Sequence, residues 1–145
     1  MGSFQLPALI GAAAEEAGPL GGTVKTTETA VKSAEQLGQE GEAAVRSVYD
    51  IGPRTAIKVG HRRLTPDGLI PGESLSEIKN RGYQGWTTQL RNLRNYSTYT
   101  QQESIRFNLY VRGSNAPGGA TRLGGFLQEE ISKDRINLMF IPGTE

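Results

Sequence analysis

Aspartate is scarce in this 145-residue chain, occurring only as Asp50, Asp67 and Asp134. One of the three stands in Pro66-Asp67-Gly68, and ten residues later comes Glu77-Ile78-Lys79. The segment 75–80 reads as a strand, and a strand repeats its side-chain direction every two residues, so Glu77 and Lys79 share a face. A turn at Pro71-Gly72 folds that strand back beside Asp67. Two carboxylates and an ammonium therefore converge at one sheet edge without any long-range assumption. Such a set suits metal-assisted phosphodiester hydrolysis. The carboxylates hold a hard cation, while the lysine orients the attacking water and offsets charge developing on the phosphate.

The remaining composition narrows the chemistry. There is no cysteine and only one histidine, His61. Disulfides, thiolate zinc sites, iron–sulfur clusters, a cysteine nucleophile and multi-histidine metal sites are excluded together. A divalent metal must be held by oxygen, which favours Mg²⁺ or Mn²⁺. No serine nucleophile elbow of the Gly-x-Ser-x-Gly type occurs. Gly118-Gly119-Ala120-Thr121 lacks the lysine of a phosphate-binding loop. Mean hydropathy is −0.44 and no stretch resembles a membrane span, so no membrane partner is expected. The formal net charge of +1 conceals a split: residues 1–50 carry −4, whereas residues 51–112 carry +6. Arginine outnumbers lysine eleven to five, a bias suited to bidentate phosphate contacts.

The elements that must position these residues follow from periodicity. Residues 1–23 are small and Gly/Pro-punctuated, lack a basic leader and read as a linker with an apolar anchor at Phe4, Leu6, Leu9 and Ile10. Residues 24–37 favour a helix, Gly38 to Gly41 interrupt it, and a second helix is expected over 40–49. Strands follow at 55–60, at 62–69 (interrupted by Pro66-Asp67-Gly68) and at 75–80. Gly82 and Gly85 mark a loop. A helix capped by Thr87 or Thr88 and stapled by Trp86 runs to about residue 103. The run 105–112 alternates cleanly as a strand. The loop 113–120 leads into an amphipathic helix with Leu123, Phe126, Leu127 and Ile131 on one face. A final strand at 136–141 is nearly all apolar and is expected to be buried. The order α-α-β-β-β-α-β-α-β predicts an α/β fold, a mixed sheet flanked by helices. The expected organisation is an arm over 1–38 and one domain over 39–145.

This arrangement resembles the PD-(D/E)XK nuclease superfamily, the restriction-endonuclease-like fold, over roughly residues 40–112. The wording Arg63-Leu64-Thr65-Pro66-Asp67-Gly68, then Leu75-Ser76-Glu77-Ile78-Lys79-Asn80, then Gln89-Leu90, is similar to the nuclease toxin domains of bacterial polymorphic toxins. The resemblance implies a Mg²⁺- or Mn²⁺-dependent endonuclease with Asp67 and Glu77 as metal ligands and Lys79 as catalytic lysine. It further implies an acid on the first core helix, for which Glu42 is the best match and Glu40 a competitor, and a catalytic glutamine at Gln89. The implied substrate is DNA, with RNA as the alternative, and a non-catalytic binding module on the same fold is the competing reading. The implied setting is a secreted bacterial effector acting in the cytoplasm of a target cell, with a cognate immunity protein as partner. Arg62, Arg63, Arg81, Arg91 and Arg94 are candidate phosphate contacts, and Tyr83, just past the site, is a candidate for base stacking.

Each residue also has a purely structural reading. Asp67 can be a turn residue, Glu77 and Lys79 a solvated same-face pair, and Glu42 a carboxylate favoured by a helix start. Gln89, Leu93 and Tyr96 share one helix face and can all be packing residues. His61 reads as a strand-edge residue and Trp86 as a staple.

Overall fold

In the computed structural model, residues 32–84 and 88–145 are described, the side chains of 88–90 excepted. The expected apolar anchor, most of the 24–37 helix, Gly85, Trp86, Thr87 and the side chain of Gln89 lie outside this set. The first described helix, α1 (Ala34–Val48), runs unbroken through Gly38 and Gly41, where the sequence suggested an interruption. Its position against the sheet explains the glycine. A Cβ at Gly41 would lie 3.0 Å from Asn80 Cβ and 3.2 Å from Ile78 Cγ2. Close approach to the sheet thus offsets the roughly 1 kcal/mol helix penalty of glycine. The boundary expected after residue 38 falls inside this helix.

Two short strands, β1 (Ile57–Val59) and β2 (Arg62–Leu64), pair antiparallel with each other in a ladder of their own. The central sheet is built from β3 (Gly68–Ile70), β4 (Ser74–Lys79), β6 (Arg106–Val111) and β8 (Asn137–Phe140), in that spatial order. β3 is antiparallel to β4, whereas β4, β6 and β8 run parallel. The expected 62–69 strand is therefore two strands in different sheets. Thr65-Pro66-Asp67 separates them, since proline cannot donate to a ladder.

Between β4 and β6 lie β5 (Tyr83–Gln84) and α2 (Thr88–Glu103). Between β6 and β8 lie β7 (Arg122–Leu123), which pairs parallel with β5, and α3 (Gly125–Ser132). Helical crossovers are what parallel neighbours require. The result is an α/β fold with a mixed sheet, as the alternating pattern implied, but with the 62–69 strand divided and with β5 and β7 added.

Each sheet face has its own core. Leu75, Phe107, Leu109 and Val111 pack with Leu93 and Tyr96 of α2 and Leu127 of α3. On the other face, Ile78, Tyr110 and Ile141 pack with Val45 and Ile51. The alternation of β4 thus sends Ile78 under α1 and sends Leu75, Glu77 and Lys79 toward the opposite face. β8 departs from expectation. It is an edge strand with Asn137 and Phe140 exposed, anchored by buried Ile136 and Ile141 at its ends. An apolar run does not specify a central position, because an edge strand lacks a neighbour on one side.

Candidate active site

The Pro-Asp turn and the Glu-x-Lys strand are locked together by reciprocal hydrogen bonds. The backbone N–H of Asp67 donates to Glu77 Oε1 at 2.8 Å, and the N–H of Ile78 donates to Asp67 Oδ2 at 2.8 Å. The Asp67 carboxylate extends the ladder just ahead of β3, beyond the Gly68–Ser76 pair. Lys79 Nζ lies 3.2 Å from Glu77 Oε2. The three residues that share a sheet edge in the sequence reading are thus brought into one hydrogen-bonded unit at the C-terminal end of β4.

Helix α1 adds Glu42 to this unit. Arg46 accompanies it one turn later: its Nε donates to Glu42 Oε2 at 3.0 Å, and its other nitrogens donate to the carbonyls of Gly52 and Asp67 at 2.9 and 2.6 Å. Arg46 therefore fastens α1 to the two loops that frame the site. Arg54 then bridges the carboxylates, with its Nη2 at 2.5 Å from Glu42 Oε1 and 2.9 Å from Asp67 Oδ1.

A cavity of about 540 Å³ opens over these groups, lined by Glu42, Arg54, Asp67, Glu77, Lys79 and, from α2, Asn92 and Tyr96 among others. Tyr96 is buried and meets the Phe107 ring edge-on. The Asn92 Oδ1 atom is buried with no hydrogen-bond partner. A second cavity of about 570 Å³ shares Gly38, Ile78 and Lys79 with the first and continues to Asn80, Arg81 and Tyr83. Its floor is fixed by Asn80, whose side chain donates to Leu37 O at 2.7 Å and accepts from Arg112 Nε at 2.7 Å. Tyr83 is half exposed, with the Arg122 guanidinium 5.2 Å from its ring centre.

The other candidates are placed elsewhere. Arg62, Arg63, Arg91 and Arg94 line neither cavity. Arg62 and Arg63 are exposed on the separate β1–β2 hairpin, and His61 sits exposed at its turn. The Arg94 guanidinium lies over the Phe126 ring. Gln89 belongs to α2, and Glu40 is exposed on α1 outside the cavity lining. Sequence reasoning missed Arg46, Arg54 and Asn92. Arginine in a loop after Gly52-Pro53 carries no local signal, because its partners are 12 and 13 residues away on other elements.

Electrostatics separate the two glutamates. Burial pushes the Glu77 carboxyl up and the Asp67 charge pushes it further. Lys79 and the Asp67 N–H pull it back only in part, leaving it at about 7. Burial also raises Glu42, but the hydrogen bonds and charges of Arg46 and Arg54 outweigh it and hold that carboxyl below its usual range. Burial raises the Tyr96 hydroxyl too, reinforced by the nearby Glu77 and Asp67 charges.

These directions set the pH profile of the metal-free protein. A raised carboxyl stabilises the fold fully below its ordinary value of 4.5, and that contribution is lost as pH rises through about 7. The lowered Glu42 contributes above its ordinary value and loses that as pH falls. In EDTA, the melting temperature should therefore decline between about pH 5 and pH 8. A Glu77→Gln protein should lack most of that decline, and an unchanged slope in thermal melts would place its origin elsewhere.

Residues 38–116, more than half of the chain, match the family model for restriction endonuclease fold toxin 7. The chain belongs to that family. No curated protein and no solved structure matches the chain. Membership in the restriction endonuclease fold toxin 7 family makes this a nuclease toxin domain of restriction-endonuclease fold. Its matched segment contains the whole Asp67–Glu77–Lys79 unit together with Glu42 and Arg54. Among the described residues, no helix is long and apolar enough to cross a membrane.

Nucleases of this fold typically use divalent metals, and the donor chemistry here suits one. Three carboxylates from α1, the Pro-Asp turn and β4 meet in one cavity, all hard oxygen donors. Glu42 and Asp67 already share a single cationic nitrogen. Among the described residues, no three His, Cys, Asp or Glu side chains are gathered as a ready-made cation cage. Glu42 and Asp67 are linked instead through Arg54, and Glu77 is paired with Lys79.

Proposed function

We propose that this toxin domain is a Mg²⁺- or Mn²⁺-dependent endonuclease that hydrolyses phosphodiester bonds in DNA. We propose further that it acts as an antibacterial effector, delivered to the cytoplasm of a target cell and held in check by an immunity protein in the producer. The observation that carries the catalytic reading is the interlocked Asp67–Glu77 pair with Lys79 beside it, lining a cavity open to solvent. The domain proposed to carry this activity takes in the whole of α1 from Ala34, five residues before the boundary expected at residue 39.

Asp67, Glu77 and Glu42 would hold the metal. When bound, a hard divalent cation stabilises charge on the scissile phosphate and lowers the pKa of a water. The chain's own residues do the rest. The reciprocal hydrogen bonds keep Asp67 and Glu77 in a fixed relation, so neither carboxylate has to reorganise as charge develops. Glu77 holds Lys79 at the lip of the cavity, where its ammonium can orient a water or donate to a phosphate oxygen. Gln89, on α2, is proposed as the catalytic glutamine that the resemblance implies.

The adjoining cavity gives a nucleic-acid strand a continuous path. Arg81 is assigned to the phosphates there and Tyr83 to a base. Arg62, Arg63 and Arg91 are exposed and are assigned to flanking phosphates. Arg94, stacked over Phe126, contributes least.

Incubating the purified protein with plasmid and with total RNA, in Mg²⁺, in Mn²⁺ and in EDTA, tests the proposal. Cleavage of plasmid in either metal and none in EDTA is the expected result. Cleavage of RNA alone would replace the DNA assignment, and no cleavage of either polymer would leave the binding-module reading in its place.

A further inference from the structure

Each carboxylate oxygen of the site already has a partner, and two of them share one side chain. Asp67 Oδ2 accepts from the Ile78 N–H, Glu77 Oε1 from the Asp67 N–H, and Glu77 Oε2 faces Lys79. Glu42 Oε2 is held by Arg46. An oxygen that accepts one hydrogen bond keeps a second lone pair for a metal, but Asp67 Oδ1 and Glu42 Oε1 both face the Arg54 Nη2 cation.

The two arginines at the site differ in kind. Arg46 makes two contacts to backbone carbonyls and one to a carboxylate, which fixes it as a fastening between segments. Arg54 touches the Glu42 and Asp67 carboxylates, and its side chain is 52% exposed. Its partners are anions and its path to solvent is open. A divalent cation and a guanidinium cannot share the same two oxygens at contact distance, because their mutual repulsion adds to the competition for lone pairs.

We propose that Arg54 is a displaceable counter-ion of this site. In the metal-free protein it holds Glu42 and Asp67 together and neutralises them. When a divalent cation takes those oxygens, Arg54 leaves them and turns to the phosphate backbone of the bound nucleic acid. It is a positioning residue with two alternating anionic partners. Metal entry is thereby coupled to substrate binding, since the cation that completes the site also releases the arginine that grips its substrate. This inference rests on the metal-dependent nuclease reading.

Mn²⁺ affinity, measured by calorimetry and by electron paramagnetic resonance of the free ion, separates this role from a structural one. Arg54→Ala and Arg54→Gln should bind Mn²⁺ about fivefold more tightly than wild type, because no exposed ion pair has to be broken first. Arg54→Lys should remain near wild type. A second arm uses a short DNA duplex and the Lys79→Ala protein, with Mn²⁺ and with EDTA. Adding Arg54→Ala there should weaken duplex binding and flatten its salt dependence by about one unit of slope in Mn²⁺, but not in EDTA. Unchanged or weaker Mn²⁺ binding in both Arg54→Ala and Arg54→Gln would overturn the inference alone. Absence of Mn²⁺ binding in the wild-type protein would overturn the metal-dependent reading and this inference with it. Circular dichroism of each variant keeps loss of fold from being read as loss of affinity.

Discussion

Lys79→Ala is expected to slow DNA cleavage by about 10²–10³-fold, the usual cost of removing one positioned donor at a reacting centre. Mn²⁺ binding should survive, because Lys79 supplies no oxygen ligand and its removal leaves the Asp67–Glu77 lock in place. Asp67→Ala should bring cleavage below detection by a different route. It removes an oxygen donor and also the acceptor for the Ile78 N–H, so Mn²⁺ binding and some stability should fall with it. Single-turnover cleavage of a labelled duplex, read alongside calorimetric Mn²⁺ titrations, distinguishes the two. If Lys79→Ala cut at the wild-type rate, the lysine would be only a counter-charge for buried Glu77. Activity in Asp67→Ala would move the metal away from the Pro-Asp turn.

Growth carries the second large effect. Bacteria expressing the wild-type chain without an inhibitor should lose colony-forming ability by orders of magnitude, while Lys79→Ala and Glu77→Ala chains at matched protein levels should be tolerated. The site suggests what an immunity protein would have to look like. Lys79, Arg81 and Arg54 line the two adjoining cavities, and residues 51–112 carry +6. An acidic surface would associate quickly with this face by electrostatic steering and exclude the phosphate backbone. Equal growth with wild-type and Lys79→Ala chains would count against toxicity through this site, and so against the need for such a partner.

Arg81 and Tyr83 line the cavity that also holds Lys79, and they are the proposed nucleic-acid contacts nearest to it in that lining. Arg62 and Arg63, adjacent in sequence to the Pro-Asp turn, are carried off on a separate hairpin. Nearness along the chain was a poor guide here because Pro66 ends one ladder before Asp67 begins the next.

The sequence by itself determined the elements whose signal is local. Alternation marked β4 and β6, the order of helices and strands implied a mixed α/β sheet, and Pro-Asp with Glu-x-Lys at hairpin spacing put Asp67, Glu77 and Lys79 at one edge. Each depends on residues within a turn or a strand of one another, so backbone geometry alone brings them together. Only the tertiary structure decided the rest. Gly38 to Gly41 read as a helix break in isolation, yet α1 runs through them, with Gly41 lying almost against Asn80 and Ile78. The apolar run ending in Ile141 read as buried, yet it forms a sheet edge, since edge or centre depends on how many strands lie beyond it. Arg54 carried no signal, because what gives it meaning is the meeting of Glu42 and Asp67. Those carboxylates are 25 residues apart in the chain and meet only when α1 packs onto the sheet.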